Sequence, residues 1–177
     1  MNPKVNKYVY IVVLLIGVSL LVVPTVCRSQ TGTIKVSGGT VQLIASSLSH
    51  YNGGVILTNW SRIKINCTSG YIGRMWQLRI KSSDPLILSD DGNPDLPLSS
   101  LRLIPVNLIF NPLETSCIAN GAYSLTNVGQ VFMSGTGVLD NFDITFGITY
   151  ELGTVTPLLD TKSGYYYTNL EYILEYF

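Results

Sequence analysis

The residues from Phe142 to Leu152 alternate between apolar side chains and polar or small ones. Six apolar side chains fall on one face of an extended strand, and these are Phe142, Ile144, Phe146, Ile148, Tyr150 and Leu152. Successive side chains of a β-strand point to opposite faces, whereas in a helix these six would spiral around the circumference. The segment therefore predicts a β-strand with one buried face, and the rest of the chain must build a sheet around it.

Shorter stretches of the same alternation occur at residues 62–67, 76–81 and 170–176. Further strand candidates are 33–36, 41–45, 55–58, 101–109, 130–134 and 158–159. Turn sequences rich in Asn, Asp, Ser and Gly separate these runs, and no long window after the first 29 residues has helical periodicity with caps. The pattern predicts an all-β fold, an antiparallel β-sandwich of about nine or ten strands.

The first 29 residues have the organisation of a secretory signal peptide. Two lysines precede an apolar run at residues 8–23, and residues 24–29 are more polar. As a helix this run measures roughly 24 Å, which is short of the bilayer core of about 30 Å. The segment predicts export to the cell surface or beyond the membrane.

Cys27 and Ser29 are small residues in the positions that precede a signal-peptidase cleavage site at Gln30. We therefore expect a cleaved leader at 1–29 and a single β-sandwich domain at 30–177. Two alternatives stay open, namely an uncleaved leader that anchors the chain in a membrane and a lipid-modified Cys27.

The charge balance argues against a nucleic-acid partner. The chain has 11 basic and 11 acidic residues; three of the basic ones lie in the leader, which leaves eight against eleven and a net charge of about −3 after cleavage. A nucleic-acid-binding domain is normally basic. Basic side chains at alternate positions of predicted strands, such as Arg62, Lys64, Arg79 and Lys81, can face acidic ones such as Glu151, Glu171 and Glu175 on neighbouring strands. The alternative is a basic stripe that binds an acidic polymer.

Catalytic motifs are scarce in the sequence. His50 is the single histidine, and it lies in a Ser/Asn/Gly-rich stretch. Residues 133–137 lack the glycine that a nucleophile elbow needs two positions before its serine. No pair of carboxylates stands out for glycoside hydrolysis. We therefore expect a noncatalytic protein without a cofactor.

Cys67 and Cys117 remain after removal of the leader. Two cysteines in an oxidising compartment predict a disulfide bond, which would close a loop of about 50 residues and stabilise the fold by roughly 4 kcal/mol. The alternative is a pair of reduced, buried thiols.

One turn resembles part of a calcium-binding loop, because four oxygen-bearing side chains surround a glycine. These weak candidate ligands are Asp90, Asp91, Asn93 and Asp95. The terminal Glu of the twelve-residue calcium loop is missing and Pro94 interrupts the pattern, so an ordinary turn is the favoured interpretation and no metal is expected.

The segment from Trp76 to Asp84, followed by residues 96–103, resembles the WxL domain of bacterial surface proteins and related pilin-like sandwich modules. Tyr172-x-Leu174 stands where that family has its second Trp-x-Leu sequence. We take Trp76, Leu78, Tyr172 and Leu174 as core anchors. An immunoglobulin-like sandwich also matches the order of Cys67, Trp76 and Cys117, although its tyrosine corner is missing. The resemblance implies a noncatalytic role at the cell envelope.

These observations favour a secreted structural or adhesive component of a bacterial cell surface, whose partners are an envelope polymer or other copies of itself. The first alternative is a fimbrial subunit in which residues 30–36 leave the domain to complete a neighbour's sheet. The second is a carbohydrate-binding module or small glycan-active enzyme, with Tyr165, Tyr166 and Tyr167 as a stacking platform for sugars.

Overall fold

The computed structural model describes most of the chain after the predicted leader. It covers residues 32–38, 41, 43–45, 47–68, 72–89, 92–111, 116–137, 139–159 and 161–177. Twelve strands form in these residues, and every strand pair is antiparallel. The prediction of an all-β, sandwich-like fold is confirmed, with more strands than the nine or ten expected.

The first sheet has five strands in the order β1-β2-β10-β6-β8. Their bounds are Gly32–Ser37 for β1, Val55–Thr68 for β2, Asn141–Leu152 for β10, Leu101–Asn111 for β6 and Tyr123–Ser124 for β8. The long alternating segment found in the sequence is β10, and it pairs with β2 on one side and β6 on the other. It is therefore the central strand of this sheet.

The second sheet has four strands in the order β12-β3-β9-β7. Their bounds are Leu170–Tyr176 for β12, Met75–Ser82 for β3, Gln130–Thr136 for β9 and Ser116–Ala119 for β7. Here β12 and β7 are the edge strands, since each pairs with a strand on one side only.

Short elements cap one end of the sandwich. A small sheet consists of β4 (Leu86–Ser89), β5 (Leu96–Pro97) and β11 (Tyr166–Tyr167), and a 3-10 turn follows β5 at Leu98–Ser100. The one α-helix of the described residues, α1 (Leu48–Gly53), begins where the Ser47 side chain accepts a hydrogen bond from the backbone N–H of His50. His50 thus lies in a helix and not in the expected loop.

Two of the predicted strands do not form, and two others, 55–58 and 62–67, are parts of the single strand β2. The described residues of 41–45 and the pair 158–159 have no strand pairing, although Val41, Leu43 and Leu158 pack against the core. Both segments are short and apolar. Their side chains can pack against the core, but no strand of the described residues is placed to form a hydrogen-bonded ladder with them.

The core fills the space between the two sheets. All six apolar side chains of β10 that share one face are buried, and from β3 the side chains of Trp76, Leu78 and Ile80 are fully buried. Aromatic rings meet across the sheets, with ring centroids 6.0 Å apart for Trp76 and Phe142 and 6.1 Å apart for Phe132 and Phe146. These contacts hold β10 of one sheet against the middle strands of the other.

The outward faces carry cross-strand ion pairs. On the second sheet Arg79 pairs with Glu175 at 2.8 Å and Lys81 with Glu171 at 3.0 Å, which confirms the predicted opposition of charges on neighbouring strands. On the first sheet the pairs are Lys64 with Asp143 at 2.9 Å and Arg102 with Glu151 at 3.3 Å. These partly exposed pairs fix strand register more than they add stability.

Gly147 sits at the centre of β10, where both neighbouring strands bulge toward it. The register shifts on each side of this position, and Asn59 in β2 and Asn107 in β6 have φ angles of 51° and 53°. A Cβ at Gly147 would overlap the side-chain amide of Asn59 and press on Val106. Glycine is therefore required here by the close approach of two bulges.

We predict that Gly147→Ala lowers the free energy of unfolding by about 1–3 kcal/mol, because the added methyl group has no space. Gly129→Ala is the matched control, since its nearest neighbours are side-chain atoms of Arg79 at an ordinary 3.8 Å. Chemical denaturation of both variants measures the difference. Adding Asn59→Gly to Gly147→Ala should restore part of the loss, and full stability of Gly147→Ala alone would contradict the bulge geometry.

Candidate functional site

The two Trp-x-Leu-like sequences lie side by side in the second sheet. In the pairing of β3 with β12, Leu78 is directly opposite Leu174, and Trp76 is opposite Tyr176. Tyr172 is opposite Ile80 and packs against the same core. Segments far apart in the sequence therefore form one continuous inward-facing surface.

The four sequence-derived core anchors differ in burial. Trp76 and Leu78 are fully buried, whereas Tyr172 and Leu174 are half-buried and packed against the core. The difference follows from position, because β3 has neighbours on both sides and β12 is an edge strand. The core is thus less completely covered along β12.

Trp76 carries an unusual polar group for its place in the core. Its indole Nε1 is buried, and no hydrogen-bond partner for it occurs among the described residues. A buried donor without an acceptor costs free energy, which the packing of the ring against Phe142 must offset. The contribution of Trp76 is therefore one of ring volume and not of hydrogen bonding.

A cavity of about 380 Å³, partly open to solvent, is lined by residues of both sheets and of the small sheet. Val36 of β1 and Leu170 of β12 lie on its two sides, and Ile87 of β4 and Leu101 of β6 also line it. The sequence gives no sign of this cavity, because alternation predicts which side chains point inward but not how closely two sheets approach.

Hydroxyl groups collect at one part of this cavity. Tyr150 donates a hydrogen bond to Ser61 Oγ at 2.9 Å, and both residues are buried. Tyr172 lies beside Tyr150, and burial, followed by the interaction with Tyr150, raises the pKa of its phenol. The phenol of Tyr172 therefore stays neutral and can donate a hydrogen bond.

The predicted disulfide bond between Cys67 and Cys117 is not present in the structure. Cys67 is in the first sheet, with its Sγ 3.7 Å from the hydroxyl of Tyr176 in β12. Cys117 is in β7, at the opposite edge of the second sheet. Cys67 therefore lies beside β12, and β3 and β9 separate β12 from β7, so these two edge strands are roughly 14 Å apart. The Cα atoms of a disulfide lie within about 7 Å of each other.

Cys117 has the properties of a structural thiol. Its side chain packs against the core, and burial raises its pKa to about 12. A thiol with this pKa is protonated at neutral pH and is a poor nucleophile or metal ligand.

The weak calcium candidates divide between described and undescribed residues. Asp90 and Asp91 lie outside the described residues. Asp95 accepts a hydrogen bond from the backbone N–H of Ser89 at 2.9 Å, and the side-chain amide of Asn93 donates to the carbonyl of Ser163. Both described side chains thus make turn contacts, and within the described ranges no group of three or more His, Cys, Asp or Glu could hold a metal ion.

A basic patch lies on the outer face of the first sheet and consists of Lys35, Arg62 and Lys64. Lys35 and Lys64 are directly opposite each other on β1 and β2, an unfavourable arrangement for like charges. Asp143 pairs with Lys64 and also accepts a hydrogen bond from Asn66. For Lys35 and Arg62, no ion-pair partner occurs in the part of the chain that the structure describes.

The three consecutive tyrosines do not form one platform. Tyr165 and Tyr167 are exposed, while Tyr166 is half-buried, and its hydroxyl donates a hydrogen bond to the carbonyl of Lys162 at 3.0 Å. Tyr166 and Tyr167 both line the cavity, whereas Tyr165 does not.

Comparisons with known proteins add no relative. No protein-family model matches the sequence, and no curated protein matches it. None of the helices formed by the described residues is long and apolar enough to cross a membrane.

We predict that Trp76→Ala lowers the free energy of unfolding by about 3–5 kcal/mol, because it empties a fully buried ring site. Trp76→Phe should cost less, since it keeps a ring and removes the unpaired N–H. Trp60→Ala is the matched control because Trp60 is 47% exposed, and it should change stability by less than about 0.5 kcal/mol. Thermal melting of the three variants tests this, and an unchanged melting temperature for Trp76→Ala would contradict the packing.

Proposed function

We propose that the chain is an exported, noncatalytic structural or adhesive component of a bacterial cell surface, similar to WxL-domain modules. The observation that carries the proposal is the register of β3 and β12. The Trp76-x-Leu78 and Tyr172-x-Leu174 sequences, which the resemblance singled out, lie on neighbouring strands with Leu78 opposite Leu174. Both sequences therefore contribute inward-facing side chains to one continuous part of the core, as the proposed relation to WxL-domain modules requires.

The second support is the organisation of the chain. The secretory pattern of residues 1–29 leads into β1 with two residues between the predicted cleavage site at Gln30 and the first strand residue, Gly32. The predicted leader is thus followed almost directly by the first strand, which is the arrangement expected of a domain that folds after export.

The basic patch supports an anionic envelope polymer as the partner. Lys35 and Lys64 face each other at a cost to stability, and Arg62 extends the patch along β2. Lys64 is already paired with Asp143, and a polymer with repeated phosphate or carboxylate groups would supply anions for Lys35 and Arg62. Binding of this kind weakens as salt screens the charges.

We predict that the full chain, expressed with its leader in a Gram-positive host, is recovered from the wall fraction as a product about 29 residues shorter than the translated chain. High salt should release it, because the basic patch supplies the attraction. Lys35→Glu should lower the retained fraction several-fold, whereas Lys162→Glu, the same change at an exposed lysine in another part of the chain, should not.

Cell fractionation with and without high salt, followed by immunoblotting of each fraction, measures both effects. A Leu15→Arg variant, which interrupts the apolar run of the leader, controls for export and should stay in the cytoplasm. Recovery of the unaltered chain from the cytoplasm, or wall retention that neither salt nor Lys35→Glu changes, would count against the proposal.

A fimbrial subunit assembled by strand donation is the second candidate, and the observation that favours it is the loose attachment of β1. This strand pairs with β2 only, Ile34 is its one residue packed against the core, and Val36 is 51% exposed. An edge strand with so few buried side chains can leave its sheet at low cost and pair with another copy.

If β1 is donated between copies, locking it to its own sheet should prevent polymerisation. Lys35 and Lys64 are Cα partners, so Lys35→Cys with Lys64→Cys places two thiols for a bond between β1 and β2. We predict a ladder on unboiled detergent gels for the reduced double variant and for Lys35→Cys alone, and a single band for the double variant that is oxidised as a monomer before assembly. A single band for every sample, wild type included, would rule out strand donation.

A further inference from the structure

We propose that the cavity between the two sheets binds a neutral lipophilic small molecule that carries a carbonyl or hydroxyl group. This inference does not depend on the proposed surface role, because it concerns the interior of the sandwich and not its outer faces. It rests on the size of the cavity, the nature of its walls and the position of its hydroxyl groups.

The cavity is large enough for a small molecule. Its volume of about 380 Å³ falls within the range of roughly 300–1,000 Å³ that is typical of ligand pockets. The cavity is open to solvent on one side, because Val36 and Tyr167 in its wall are each about half exposed. A ligand can therefore enter, and an occupant with apolar surface would remove the aliphatic part of the wall from water.

The walls select an uncharged occupant. Half of the lining residues are aliphatic, including Val36 and Leu170 on its two sides, and the other half are four tyrosines with Ser61, Thr168 and Asn169. None of the described residues that line it carries a formal charge. A carboxylate or phosphate inside would lose its hydration without gaining a cation, so fatty acids and phospholipid headgroups fit poorly.

The hydroxyl groups define where a polar group of the occupant would lie. Tyr150 donates its proton to Ser61 Oγ, which leaves the Ser61 proton available for another acceptor. The phenol of Tyr172 is neutral and lies beside Tyr150. The phenol of Tyr172 donates to Tyr150, so a chain of hydroxyl groups runs from Tyr172 through Tyr150 to Ser61. The Ser61 proton is the free donor at the end of this chain, an arrangement suited to a carbonyl or hydroxyl oxygen.

Prodan, a neutral naphthalene with a ketone whose emission shifts to the blue in apolar surroundings, is a suitable probe. Titration of the purified full chain should give saturable, blue-shifted emission with one site per chain. The anionic probe 8-anilinonaphthalene-1-sulfonate should not displace it, because the cavity offers no cation. Failure of prodan to bind, or displacement by the anionic probe at equal concentration, would overturn the assignment.

Two kinds of variant locate the site. Leu170→Trp and Val36→Trp fill the cavity from opposite edges and should each abolish prodan binding, while Ile118→Trp on the exposed outer side of β7 should leave it unchanged. Ser61→Ala combined with Tyr150→Phe removes the free donor and the hydroxyl that could replace it but keeps the ring, and it should weaken prodan binding about tenfold. Circular dichroism of each variant establishes that it is folded.

The dependence of prodan binding on protein concentration distinguishes this proposal from strand donation. If the cavity is instead filled by a strand from a second copy, prodan binding should fall as the protein concentration rises and recover on dilution. That result, or binding that both tryptophan variants leave intact, would contradict a small-molecule site.

Discussion

The packing of β10 against β3 is the interaction on which the rest of this structure depends. β10 pairs with both β2 and β6 and so joins the strands of the first sheet. Its whole apolar face is buried and forms the central part of that sheet's contribution to the core. β3 supplies the opposite wall through Trp76, Leu78 and Ile80. Burial of each such side chain contributes about 1.5–3 kcal/mol, which makes this pair of strands the main source of stability.

Burial decreases from these central strands toward one margin of the sandwich. The inward side chains of β12 are half-buried, and most of β1 is exposed. The cavity lies between these two edge strands, and the basic patch begins on β1. The features proposed here for binding and assembly therefore lie at this margin, where substitution or movement of a strand removes the fewest core contacts.

The sequence was sufficient to predict the features that depend on local alternation. Phe142–Leu152 and residues 76–81 form the predicted strands, and their apolar faces are buried as predicted, because period-two alternation indicates both strand and buried face. Opposite charges on Arg79 and Glu175 meet for the same reason. In β10 the opposite face is also buried at Gly147 and Thr149, which the alternation does not predict. The strand count was low because pieces such as β5 and β11, each two residues long, carry no pattern.

Features that depend on how the sheets are arranged could not be predicted. The even cysteine count suggested a disulfide bond, but Cys67 and Cys117 lie on strands that the topology separates. Gly147 looked like one more small residue of an alternating strand, and only the bulges at Asn59 and Asn107 show why it is glycine. The cavity likewise depends on how the sheets are placed against each other, which alternation within a single strand does not indicate.

Amide hydrogen exchange of the intact chain tests the central claim most directly, because opening free energies range from near zero to the global value across one protein. If β10 and β3 form the rigid centre and β1 is a loosely held edge, the amides of β10 and β3 should exchange only through global unfolding. Those of β1 should exchange orders of magnitude faster. Equal protection of β1 and β10, or fast exchange throughout β3, would contradict the account.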